Sequence, residues 1–348
     1  MNHIQVLVVD DSAFMRKMIS DMINQSDGME VVDTARNGRQ ALEKIKTIKP
    51  DVVTLDVEMP EIDGLSVLKE IMKIHPIPVI MLSSLTQKGA DITVQAIENG
   101  AIDFISKPSG SISLNIEDVK EELISKINLA SRANLKTGQS NHFKRENPKL
   151  IYSKSLVAIG VSTGGPKALQ TVLCDLPHEF KAPVIIVQHM PPKFTLSLAK
   201  RLNKISNLSV VEAQSGEILI PGKVYIAPGG QHLSVKQVGQ ALVFETSQHE
   251  FKSHYRPSID YMFESLSHIS GYNIISTILT GMGSDGVKGL KSIKNCQASN
   301  YVIAESKETA VINGMPNAAI NQVGVDTVLP IDQIGQVITD IISQRGRE

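Results

Sequence analysis

Short apolar runs that stop on a carboxylate, a serine, a lysine or a histidine recur along this chain, and helical patterns separate them. Such alternation restricts the fold to parallel α/β sheets, whose strands end on one edge. In the first 125 residues the runs are QVLVV at 5–9, MEVVDTA at 29–35, DVVTLD at 51–56, PVIMLSS at 78–84 and AIDFISK at 101–107. Ala13 to Gln25 and Gly64 to Ile74 have the three- and four-residue apolar spacing of helices. A second pattern of the same kind begins at Leu156, with strand candidates at 156–160, 183–187, 223–227, 274–280 and 301–304. Between the two, residues 131–149 are polar and basic and lack apolar periodicity, which is linker composition. A chain of 348 residues exceeds one ordinary core. The expected division is a domain over 1–125, a linker over 126–150 and a domain over 151–348.

The charge balance removes some classes of function. With 35 basic and 36 acidic residues the formal net charge is -1, so there is no general attraction to nucleic acid or to anionic membranes. Apolar runs such as Pro183 to Val187 fall far short of the ~20 residues of a membrane span, which argues against membrane insertion. The opening MNHIQVLVVDD lacks a signal-sequence pattern and the chain has 2 cysteines, Cys174 and Cys296. A cytoplasmic protein with free thiols is the expectation.

In the first domain Asp10 and Asp11 follow the first run, Asp56 ends the third, Ser83 and Ser84 end the fourth, and Lys107 ends the fifth before Pro108. Parallel strands would gather these residues at the edge where open α/β folds bind ligands. Carboxylates held together repel one another, and a hard cation such as Mg²⁺ relieves that repulsion. Asp10, Asp11 and Asp56 are the candidate metal ligands, Asp56 the candidate phosphoryl acceptor, and Lys107 and Ser83 the partners of a bound phosphoryl group. Each alone would be a solvated turn residue; their order makes them a site.

In the second domain an apolar run ends in Gly160-Val161-Ser162-Thr163-Gly164, a G-x-S-x-G turn that can lift a serine hydroxyl above a sheet edge. Serine needs a base and a group that orients the base. His189 follows the run at 183–187, and Asp285 lies in the glycine-rich turn after the run at 274–280. If these three runs are parallel neighbours, Ser162, His189 and Asp285 meet in one crevice as nucleophile, base and orienting carboxylate. Amides of Thr163, Gly164, Gly165 and Met282 are candidates for an oxyanion hole. His232 is the rival base. Neither cysteine has a position suited to a nucleophile. A competing reading takes Gly281-x-Gly283-x-x-Gly286 as a dinucleotide fingerprint with Glu305 as its ribose acid, giving an NAD-dependent enzyme. That reading leaves the Ser162 turn unexplained.

The first domain resembles a response-regulator receiver, through Val8-Val9-Asp10-Asp11-Ser12, Leu55-Asp56-Val57-Glu58-Met59-Pro60, Asp63-Gly64, Ser83-Ser84 and Lys107-Pro108. This implies a flavodoxin-like (βα)5 fold and phosphorylation of Asp56 by a chemotaxis histidine kinase. It also implies Mg²⁺ at Asp11, Asp56 and the Glu58 carbonyl with Asp10 acting through water, and a response to phosphorylation at Ser83 and Phe104. Phe104 stands where such domains often carry tyrosine.

The second domain is similar to the catalytic domain of the chemotaxis protein-glutamate methylesterases. The shared text is Ile159 to Pro166, Gln188-His189-Met190-Pro191, Ile226 to Gly230, Arg256-Pro257-Ser258-Ile259-Asp260, Leu279 to Gly286 and Gly314-Met315-Pro316. The resemblance implies a Rossmann-like parallel α/β domain, Ser162, His189 and Asp285 as its triad, and no cofactor for the ester chemistry. It further implies methylated chemoreceptors as substrates, deamidation of receptor glutamines, and a monomer. Ile303 to Ala310, and Asn313 before Gly314, depart from the family's usual wording. A receiver joined to a catalytically silent docking domain is the alternative.

Overall fold

In the computed structural model residues 3–108, 116–133, 153–249, 255–296 and 299–343 are described. The chain divides into two compact units, Met1–Leu135 and Lys136–Glu348.

The first unit alternates strand and helix throughout: β1 (Ile4–Val9), α1 (Ala13–Asn24), β2 (Met29–Ala35), α2 (Gly38–Ile48), β3 (Val52–Asp56), α3 (Gly64–Ile74), β4 (Val79–Ser83), α4 (Gln87–Glu98), β5 (Asp103–Ser106) and α5 (Ile116–Ala130). Among the described residues its sheet has five strands in the order β2-β1-β3-β4-β5, and every pair is parallel. Val6 to Val9 of β1 and the apolar residues of β3 and β4 are buried, as strands covered by helices on both faces require. Four turns enter their helices through a side-chain cap: Ser12, Asn37, Asp63 and Thr86 each accept the amide three residues on. α5 runs to Ala130, past the boundary expected at 125, so the first residues assigned to a linker are helical. The rest of that segment, 134–150, lies outside the described residues.

The second unit contains β6 (Lys154–Val161), α6 (Gly165–Cys174), β7 (Val184–Gln188), α7 (Phe194–Ile205), β8 (Ser209–Glu212), β9 (Lys223–Ile226), β10 (His232–Val238), β11 (Ala241–Ser247), α8 (Ile259–Leu266), β12 (Tyr272–Ile278), α9 (Val287–Cys296), β13 (Asn300–Glu305), α10 (Gly314–Gln322), β14 (Thr327–Leu329) and α11 (Ile331–Ser343). Its main sheet, counted over the described residues, has seven strands in the order β14-β13-β12-β6-β7-β9-β8, all parallel. β6 therefore lies between β12 and β7, the neighbour relation that a shared crevice requires. β10 and β11 form an antiparallel hairpin outside this sheet, which the sequence reading did not anticipate. Its Leu233, Val235, Leu242 and Phe244 share one buried cluster with Ile185, Tyr225 and Phe263, so the hairpin completes the core. Among the described residues no helix is long and apolar enough to cross a membrane.

Candidate functional site

Ser162 leaves β6 one residue after its end, and its turn is held from two sides. Its amide donates to the Thr280 carbonyl at 3.0 Å, and its carbonyl accepts from the Gly165 amide at 2.8 Å and from Gln188 Nε2 at 3.0 Å. Gly164 caps α6 at φ 78°, a left-handed conformation that favours glycine. Across the crevice Gly281 lies against Ser162, where an added Cβ would stand 2.8 Å from the serine Cβ.

His189 follows β7, and its amide donates to the Val161 carbonyl at 3.2 Å. The imidazole Nδ1 lies 3.1 Å from Ser162 Oγ and Nε2 lies 2.8 Å from Asp285 Oδ2. An ionised carboxylate only accepts, so Nε2 carries the proton and Nδ1 presents its lone pair to the serine hydroxyl. The imidazole and carboxylate side chains are only 6% and 5% exposed, so their interaction is little diluted by water.

Asp285 also sits at the start of α8. It accepts from Ser258 Oγ (3.0 Å), the Ile259 amide (2.7 Å) and the Asp260 amide (3.0 Å). Burial raises its pKa, but His189 and these amides outweigh burial and hold it below the usual carboxylate range. Asp260 in turn accepts the Gly286 and Gly289 amides, both at 2.9 Å, which fixes the turn that carries Asp285. Burial, with the charge of Asp285 nearby, raises the Asp260 carboxyl.

Three other predicted residues have different surroundings. His232 is fully buried in β10 with its ring 4.9 Å from that of Tyr261, and burial together with the Arg256 charge lowers its pKa; His189 is the histidine that meets both Ser162 and Asp285. The Gly165 amide is engaged with the Ser162 carbonyl, which corrects its assignment as an oxyanion donor. Glu305, the expected ribose acid, is 1% exposed and accepts from the Thr280 amide (2.8 Å) and the Thr309 hydroxyl (3.0 Å). It braces the end of β12 and is not presented to a nucleotide. Cys174 and Cys296 are free and exposed.

In the first unit the ends of β1, β3 and β5 converge as expected. Lys107 Nζ lies 2.8 Å from both Asp10 Oδ2 and Asp56 Oδ2, and the two aspartates are 0% and 2% exposed. Carboxylate oxygens of Asp10, Asp11 and Asp56 lie within 4.8 Å of one another. Arg16 Nη1 donates to the Asp10 and Asp11 carbonyls (2.8 and 3.0 Å), fixing their turn. Three clustered carboxylates, two of them paired with one lysine, leave excess negative charge on acceptor-only oxygens, a donor set that suits a hard divalent cation. Burial pushes the Asp56 pKa up to about 6, against the pull of Lys107. Ser83 is buried, with its hydroxyl 2.8 Å from that of Thr93 on α4. Phe104 is buried under the Lys126 ammonium, 5.2 Å from the ring centroid.

Residues 6–116 match the response regulator receiver domain, and residues 157–338 match the CheB methylesterase family. The protein-glutamate methylesterase/protein-glutamine glutaminase of Oceanobacillus iheyensis is 49% identical over 347 residues, 97% of this chain and 99% of that protein. The chain belongs to the CheB methylesterase family. Its Bacillus subtilis relative of the same name is 44% identical over 98% of this chain and 99% of its own length. The CheB methylesterase catalytic domain of Thermotoga maritima superposes with a TM-score of 0.51 at 42% identity, covering 55% of this chain and 98% of that one. The chain thus carries a receiver unit and a methylesterase unit in one polypeptide. The residues that sequence reasoning missed in it are Gln188, Ser258 and Asp260. All three lie in the shared motifs, but the only local signal of a role was a serine ahead of an apolar helix at Ser258.

Proposed function

We propose that this protein is a phosphorylation-activated hydrolase that removes methyl groups from glutamate methyl esters of chemoreceptors and deamidates particular receptor glutamines. The reading rests above all on the continuous hydrogen-bond chain from Ser162 through His189 to Asp285. Ser162 Oγ attacks the side-chain carbonyl carbon while His189 Nδ1 takes its proton. The protonated imidazole, stabilised by Asp285, then gives that proton to departing methanol or ammonia. Both substrates leave the same glutamyl ester on Ser162, which water hydrolyses by the reverse proton path. Amides of Thr163, Gly164 and Met282 are assigned to the oxyanion. The chemistry needs no cofactor, and a silent docking role leaves the assembled relay without a purpose.

Control is assigned to the acidic site. Asp56 accepts the phosphoryl group from a histidine kinase, Lys107 neutralises it, and Ser83 and Phe104 respond. Mg²⁺ would be held by Asp11, Asp56 and the Glu58 carbonyl, with Asp10 acting through water, and would supply charge neutralisation during transfer. The protein is read as a cytoplasmic monomer whose partners are the chemotaxis kinase and its receptors, with no role for nucleic acid.

The test is methanol release from methylated receptor membranes, with deamidation followed in parallel. Ser162→Ala is expected to retain fold and phosphorylation and to lose both activities together. Loss of one alone would rule out a shared acyl-enzyme.

A further inference from the structure

His189 is held at both ring nitrogens, yet two hydrogen bonds at opposite ends of a ring leave it free to rock about the line that joins them. The structure supplies a third constraint. The ring of Tyr255 lies flat on the imidazole, with centroids 4.1 Å apart and planes 6° from parallel. Tyr255 is 38% exposed, so its other parts face solvent while the imidazole side chain beneath is 6% exposed.

The stretch that carries Tyr255 is itself anchored. The next carbonyl, that of Arg256, accepts the Gly230 amide at 3.1 Å, and Ser258 binds Asp285 Oδ1 at 3.0 Å. One short segment therefore touches both the face of the imidazole and the carboxylate at its edge. The geometry points to Tyr255 as the positioning residue that sets the plane of His189 and thereby aims Nδ1 at Ser162 Oγ.

Two effects follow from an aromatic ring in that place. It excludes water from one face of the base, and its electron-rich face favours the imidazolium that forms during acylation. Both act on the transition state more than on bound substrate, so the loss falls on kcat and leaves KM in place. The phenolic hydroxyl has no part in this, so phenylalanine substitutes for tyrosine.

This inference rests on the hydrolytic reading above, and its test separates the two. In the full chain, stimulated by a small phosphodonor and supplied with methylated receptor membranes, Tyr255→Leu is expected to lower kcat by roughly ten- to a hundred-fold, the scale of a misaligned reacting pair. KM should stay within about twofold and Tyr255→Phe should restore kcat, since the stacking face is what sets the transition-state geometry. Independently of turnover, the His189 ring protons, assigned through His189→Gln, should show the upfield displacement of a stacked aromatic neighbour in wild type and Tyr255→Phe but not in Tyr255→Leu. Unmoved His189 signals in Tyr255→Leu would overturn the proposal. So would a Phe variant as slow as Leu, or a rise in KM at constant kcat, which would make Tyr255 a substrate contact. A wild-type chain that releases no methanol but shows the displaced signals would sink the hydrolase reading while leaving the stacking intact.

Discussion

Two histidines and one buried glutamate test the assignments residue by residue. His189 bridges Ser162 and Asp285, whereas His232 packs against Tyr261. His189→Ala should lower kcat by several orders of magnitude with little change in Tm. His232→Ala should instead cost about 2–5 kcal/mol of stability, as expected for emptying a packed site, and leave kcat within a few-fold. Steady-state kinetics beside thermal melts distinguish them. Glu305 provides a pH test, because burial pushes its pKa from 4.5 up to about 7. Between those pH values the native state binds a proton that the unfolded chain does not, so this residue's contribution to stability falls as pH rises through the window. The expected loss is on the order of 3 kcal/mol from pH 4.5 to above 7. Glu305→Gln keeps an acceptor for the Thr280 amide and should flatten that dependence. Denaturant midpoints at pH 5 and pH 8 should lie closer together in the variant than in wild type, and an unchanged spacing would place the native titration elsewhere.

At the scale of single elements, α8 links the fold to the chemistry. Ser258 caps it by accepting the Tyr261 amide at 3.3 Å and also donates to Asp285. Ser258→Ala should therefore cost about 1–2 kcal/mol of stability through the lost cap and the lost bond to a charged group. It should also lower kcat, while Ser258→Thr preserves both; melting curves and kcat on the same preparations check this. The partners of Asp285 lie 25 to 27 residues upstream, and no local spacing shows that a helix start will meet that carboxylate. Tyr255 is hidden in the same way, since nothing in its neighbours says what it will stack upon. β6, β7 and β12 were legible because each is a largely apolar run followed by a turn that carries the chemistry, and a parallel sheet brings such ends together. The hairpin of β10 and β11 is less legible: Leu233 and Val235 alternate with Ser234 and Lys236, but across the turn Val243 stands between the buried Leu242 and Phe244 and breaks the alternation.

For the molecule as a whole, each unit has its site at the carboxyl edge of its own parallel sheet, and activation requires the first to report to the second. Asp56→Asn should keep basal methanol release and lose stimulation by a phosphodonor. Because burial raises the Asp56 pKa to about 6, its attacking carboxylate is depleted below that pH. Phosphorylation by a small donor should therefore slow as pH falls through about 6. Added divalent cation should move that limb to lower pH by favouring the charged form, which a rate profile from pH 5 to 8 with and without Mg²⁺ will show. The strand order β12-β6-β7 has one more consequence, for how the catalytic unit fails. Its three central strands set the spacing of the relay through buried backbone ladders, which are the last parts of such a domain to exchange their amide protons with solvent. Heating should thus destroy the sheet and the activity in one step, with no interval in which the enzyme is folded but dead.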